Sequence, residues 1–195
     1  VPQQLPSLPV TVSGQILKIE EVDEFCFTGP ATGPMTCEII AAAIGSPLTA
    51  VVEIRDSSGR LIADAADTAA RDVKFTFAVE AGQKYTARVY DVDFRGNRSF
   101  VYRLSLTPGP SLVTTMPAFV KRDSTQDVEF LGYGLKTGAV KLESIRQKIQ
   151  IPAEVQAVLV GAVEVVDGKK LRYEIPTSDI LEVVEQQSVT DLKTI

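Results

Sequence analysis

Val73 to Leu106 reads VKFTFAVEAGQKYTARVYDVDFRGNRSFVYRLSL, and its rhythm decides the fold. Val73, Phe75, Phe77 and Val79 alternate with polar or small residues, and Tyr85, Ala87 and Val89 do the same. Phe100, Tyr102, Leu104 and Leu106 form a third such run. A period of two buries one side of a strand and wets the other, as in antiparallel sheets. The joints, Ala81 to Lys84 and Asp93 to Arg98, are built from turn formers. Tyr85, following Gly82 where a strand begins, is placed to bond back across the corner as tyrosine corners do.

Upstream the pattern continues in short pieces. Val10, Val12 and Ile16 mark a strand interrupted by Ser13-Gly14. Phe25-Cys26-Phe27 and Met35 to Ile39 read as neighbouring strands, joined by a long turn over Gly29 to Pro34. Val51, Val52 and Ile54 start another strand, the turn Asp56 to Gly59 ends it, and Leu61-Ile62 follow. Ala63 to Arg71 reads as a loop with at most one helical turn, because so short a helix is marginal alone. About eight short strands between residues 10 and 107 predict an all-β fold, a jelly-roll-like β-sandwich.

Residues 1–9, with three prolines, read as an extended linker, and Pro108-Gly109-Pro110 as a hinge. Beyond it the strand rhythm restarts at Leu112-Val113 and Val128 to Leu135. Asp167-Gly168, between apolar runs, is a strong hairpin signal, and Leu171 to Ile175 alternates before Pro176. Residues 111–178 therefore form a second, smaller immunoglobulin-like β-sandwich. Residues 179–195 are a linker or tail. There Asp179 and Glu182 have capping-box spacing, although a strand followed by a linker fits as well.

The composition limits function. With 45% apolar and 23% charged residues, the chain is an ordinary globular protein. At 195 residues it can hide roughly 70% of its extended surface. A net charge of −5 with interspersed signs argues against nucleic acid. No run of about 18 apolar residues marks a membrane span. The chain opens at Val1 rather than Met and reads as a piece of a longer protein. It has no histidine, which removes the usual general base and most zinc sites, and no tryptophan, the favoured sugar platform. Nor does it carry a Gly-x-Ser-x-Gly, Ser-x-x-Lys or phosphate-loop motif.

Several pieces share the order and spacing of a known family. They are Val12 to Ile16, Val22 to Phe27, Gly45 to Leu48, Asp56 to Leu61, Arg95-Gly96 and Phe100 to Leu104. Over residues 10–107 the chain resembles the bacterial pre-peptidase C-terminal domain, a jelly-roll-like sandwich appended to many exported proteins. Pro110, Val113, Pro117, Val128, Phe130, Gly132, Gly134 and Leu135 resemble the start of an IPT/TIG-type immunoglobulin-like domain. That pattern usually has Gly-Gly-Thr where this chain has Asp123-Ser124-Thr125. The pairing is similar to that in planctomycete-type multidomain exported proteins. The resemblance implies an extracellular or periplasmic location and other domains of the same chain as partners.

Three candidate sites follow. Asp56, Asp64, Asp67, Asp91 and Asp93 are the acidic residues best suited to calcium, which wants several converging oxygens. Asp91 and Asp93 share a face at one strand end, and domains of the resembling family sometimes bind calcium. The family's adjacent aspartate pair is split here into Asp64-Ala65-Ala66-Asp67, and the bland alternative is solvated turn aspartates. Cys26 and Cys37, on consecutive strands, form a disulfide if those strands are neighbours; strand parity instead points Cys26 out and Cys37 in. Tyr90 and Phe94 are the candidate ligand platform. Arg55, Arg95, Arg98 and Arg103 are expected to pair with nearby acids.

The expected function is a non-catalytic extracellular or periplasmic spacer or adhesion module of a larger protein. The alternative is a ligand-binding module for polysaccharide or a matrix protein, with or without calcium. No other cofactor is implied.

Overall fold

The computed structural model describes residues 2–67 and 72–185. The chain divides into two compact units, the first running to Ser111 and including Gly138–Val140, the second made of Leu112–Thr137 and the chain from Lys141 on. Both are built from strands, and the only helical pieces among the described residues are single 3-10 turns at Ala42–Ile44 and Val166–Gly168.

The first unit is a two-sheet sandwich. One sheet contains β1 (Gln3–Gln4), β3 (Asp23–Thr28), β8 (Lys84–Asp91), β5 (Ala50–Asp56) and β6 (Leu61–Ala66), in that order. The other contains β2 (Val10–Gln15), β9 (Val101–Pro108), β4 (Gly33–Ile40) and β7 (Val73–Val79). Every pairing in them is antiparallel except that of β1 with β3. The inward residues of both sheets meet in one core, including Phe25, Phe27, Met35, Ile39, Val52, Ile54, Phe77, Val89, Leu104 and Leu106. Each such large side chain taken from water contributes about 1.5–3 kcal/mol.

The alternation in Val73 to Leu106 produces β7, β8 and β9, yet these three strands do not lie in one sheet. The chain crosses the core at each joint, so β8 lies opposite its two sequence neighbours. The same crossing corrects a second expectation. β3 and β4 are not neighbours but belong to opposite sheets, because both bury an apolar face and each needs the other's sheet as a lid.

Three further differences have local causes. The linker read at residues 1–9 is partly structured: β1 pairs with β3, Leu5 donates its N–H to Cys26 O at 2.8 Å, and Leu5 is only 5% exposed. One well-placed leucine turns a proline-rich segment into part of the core. The loop read at Ala63 to Arg71 begins as strand, since Ala63 to Ala66 continue β6 against β5. Pairing overrides the helix propensity of alanine there; residues 68–71 lie outside the described residues. Finally, β2 runs unbroken through Ser13-Gly14.

In the second unit, one sheet orders β10 (Ser111–Met116), β12 (Ser124–Tyr133) and β13 (Leu142–Ile151). The other orders β11 (Val120–Lys121), β15 (Lys170–Ser178) and β14 (Val158–Glu164). Val120, Val128, Phe130, Leu135, Ile151, Val163, Tyr173 and Ile175 fill its core. The hairpin expected at Asp167-Gly168 is present: β14 and β15 are antiparallel, and both turn residues are left-handed, with φ of 59° and 68°. Asp179 and Glu182 cap no helix. Asp179 pairs with Arg122 at 2.6 Å, and a Glu182 oxygen accepts the Phe119 N–H at 2.7 Å.

Candidate functional site

The outward face of the five-stranded sheet carries a linked group of polar side chains. On β8, Ala87, Val89 and Asp91 point inward, while Thr86, Arg88 and Tyr90 occupy the alternate positions. Register places Arg88 between Glu24 of β3 and Glu53 of β5, and it bonds both, at 3.0 and 2.9 Å. Glu53 also receives Arg55 at 2.8 Å and the Tyr90 hydroxyl at 3.0 Å. Burial pulls the Glu53 carboxyl upward, but the bonds from Arg55, Tyr90 and Arg88 outweigh it and hold the group below its ordinary value. Burial, and then the bond to Glu53, push the Tyr90 phenol up.

Tyr90 also supports the aromatic part of the surface. Its ring stacks on Phe94, with centroids 5.2 Å apart and planes 9° from parallel, and Phe94 remains 45% exposed. Phe94 has a φ of 54°, a left-handed conformation that is unusual for an aromatic residue and held here by surrounding bonds. Its N–H donates to Asp91 O at 2.8 Å and its carbonyl accepts from Glu20 at 2.9 Å.

Asp91 organises that loop from beneath. Its side chain is fully buried and accepts five bonds: from the N–H groups of Thr49, Asp93 and Arg95, and from Nε and Nη2 of Arg95. Burial raises its pKa, and the Arg95 guanidinium with the backbone donors more than reverses this. Arg95 also donates to Thr49 Oγ1 at 3.2 Å and lies over the Phe100 ring at 5.5 Å.

The five aspartates do not converge. Asp56 caps its own turn, accepting from the N–H groups of Ser58 and Arg60 and from the Ser58 hydroxyl. It pairs with Tyr85, whereas Asp91 pairs with Ala50 at the other end of β5, roughly 20 Å away. Asp64 is exposed opposite Glu53, Asp67 is buried with its N–H bonded to Ala50 O, and Asp93 is exposed 3.6 Å from Arg95. Among the described residues, no three metal-ligating side chains gather. Cys26 and Cys37 are free thiols on opposite sheets. Cys26 lies 3.6 Å from Thr86 Oγ1, and burial pushes the core thiol of Cys37 up to about 12.

The structure joins Tyr90 to Phe94, and pairs Arg55 and Arg95 with acids. Sequence reasoning missed Glu24, Glu53 and Arg88, although strand parity carries the signal: Arg88 shares its phase with Tyr90. It also missed Asp23, whose carboxylate accepts the Tyr102 hydroxyl across the two sheets, beside a groove of about 350 Å³ lined by Gly14 and Glu21 to Phe25. Burial raises Asp23, the Tyr102 bond partly offsets this, and Glu21 adds to it.

No protein-family model matches the chain, and no curated protein matches it. Among solved structures it is similar to the pre-peptidase C-terminal domain of a collagenase from Bacillus anthracis. The identity is 16% over 55% of this chain and 95% of that one, with a TM-score of 0.45. It is also similar to PliG of Aeromonas hydrophila, a periplasmic inhibitor of g-type lysozyme, at 15% identity over 54% and 94%, with a TM-score of 0.42. A third is the C-terminal domain of EclA, a sugar-binding protein, at 19% identity over 53% and 79%, with a TM-score of 0.32. At these identities and scores the likenesses assign no function.

Proposed function

We propose that the chain is a non-catalytic adhesion module of a larger exported protein, placed outside the cell or in the periplasm. In this reading the first unit is a pre-peptidase C-terminal-like sandwich and the second an immunoglobulin-like one that spaces it. One observation carries the reading: the half-exposed Phe94, stacked on Tyr90 and set beside the Glu24-Arg88-Glu53-Arg55 network. A flat apolar ring next to fixed donors and acceptors suits a sugar ring, whose C–H face stacks while its hydroxyls bond at the edge.

The same network is a poor catalyst. A general base works best with a pKa near the operating pH, and Glu53 and Asp91 are both held below the ordinary carboxylate range. Asp23 is raised, but the Tyr102 hydroxyl occupies it in a contact that joins the sheets.

A glycan array and a matrix-protein pull-down test the proposal. Binding that is lost in Phe94→Ala, with melting unchanged, supports it. Binding indifferent to Phe94 and Tyr90 sinks the surface assignment, and turnover of any substrate in a broad hydrolase panel sinks the non-catalytic reading.

A further inference from the structure

β14 is the outer strand of its sheet. It pairs with β15 on one side, and among the described residues no strand pairs with the other. Its sequence, VLVGAVE, has no proline and no charge before Glu164, so it lacks the devices by which natural edges repel partners. The direction of its free backbone groups follows from the ladder. The Thr177 N–H donates to Ala157 O at 2.9 Å, and the Val165 N–H to Lys169 O at 2.8 Å. Antiparallel pairs alternate between bonded and unbonded, so Leu159, Gly161 and Val163 bond to β15. Val158, Val160, Ala162 and Glu164 then aim their N–H and C=O groups away from the sheet. Their side chains lie on the solvent side, with Val158 42% and Val160 51% exposed.

We propose that this edge pairs with the same edge of a second copy, antiparallel across a twofold axis, joining the two three-stranded sheets into one. The strand matches itself. Centred on Gly161, the pairing sets Val160 against Ala162 and Val158 against Glu164 of the second copy, each a pair of residues with outward backbone groups. On the inner side Leu159 meets Val163. The single charge also fits: Glu164 faces a valine rather than another carboxylate and keeps Lys170 of β15 as its cross-strand neighbour. An acidic peptide would find no counter-charge on β14, and a basic one only Glu164 at its end.

Hydrogen exchange on the full chain, read residue by residue at low and high protein concentration, tests the pairing together with sedimentation. The amides of Val158, Val160, Ala162 and Glu164 are expected to slow about tenfold or more as dimer forms. Those of Leu159, Gly161 and Val163 are protected by β15 at every concentration. Val160→Lys, on a solvent-facing position, is expected to abolish both the dimer and the slowing; Val158→Lys serves if the first variant folds poorly. A chain that stays monomeric, or a dimer that leaves the even-numbered amides unchanged, overturns the proposal.

Discussion

The ring of Tyr102 lies across Gly14, its cross-strand neighbour, with its Cζ 2.2 Å from where a β-carbon on that glycine would stand. From that position its hydroxyl reaches Asp23 on the opposite sheet. The glycine is therefore a seat for an aromatic ring, and the second unit repeats the device with Tyr173 over Gly161.

Gly14→Ala should therefore destabilise the first unit, although alanine is ordinarily the better strand residue. The ring must move and the Asp23 bond must lengthen, a cost of about 1–3 kcal/mol. Urea denaturation measures it. An unchanged or raised midpoint would show that the ring relocates freely.

Arg95→Ala leaves the fully buried carboxylate of Asp91 with its three backbone N–H donors but no counter-charge. Loss of the guanidinium fork should lower the melting temperature, even though Arg95 itself is half exposed. Adding Asp91→Asn to that variant removes the charge and should recover part of the loss. A double-mutant cycle by thermal melting reads the coupling, and additive effects would contradict it.

Leu5→Ala tests whether the opening segment belongs to the core. A buried leucine truncated to alanine typically costs about 2–5 kcal/mol, whereas a leucine in a free linker costs nothing measurable. Chemical denaturation separates the two outcomes.

Acid should weaken the second unit through Glu143. The Thr137 hydroxyl, followed by the backbone N–H groups of Lys136 and Thr137, holds this carboxyl down from 4.5 to about 2. A folded-state pKa below the unfolded one contributes stability above pH 4.5, and that contribution disappears as the pH falls through about 2. The stability gap between the parent and Glu143→Gln should close over that interval in pH-resolved urea melts. A gap that holds constant would mean that the charge contributes nothing.

Strand phase was legible in the sequence because side-chain alternation is local. Val73 to Val79 became a strand residue for residue, and the turn at Asp167-Gly168 formed where its chemistry predicted. The Tyr85 corner also formed, its hydroxyl accepting the Glu80 N–H at 2.9 Å. Sheet membership was not legible, since nothing in Phe25-Cys26-Phe27 says which sheet receives its buried face. The candidate surface shows the same boundary. Tyr90 and Phe94 stand out as aromatics, but Arg88 acquires its meaning only once register places Glu24 and Glu53 on either side of it.

The pairing of β2 with β9 sets a schedule for making this protein. Thr11 and Ser105 touch across that pair through their hydroxyls, yet lie 94 positions apart in the chain. At about 5–20 residues added per second, the strand that pairs with β2 is synthesised roughly 5–20 s after it. Until then the apolar faces of β3, β4 and β5 have no closed sandwich to enter. Premature release before Pro108 would leave an open sheet, a ready substrate for chaperones or proteases rather than a smaller folded unit.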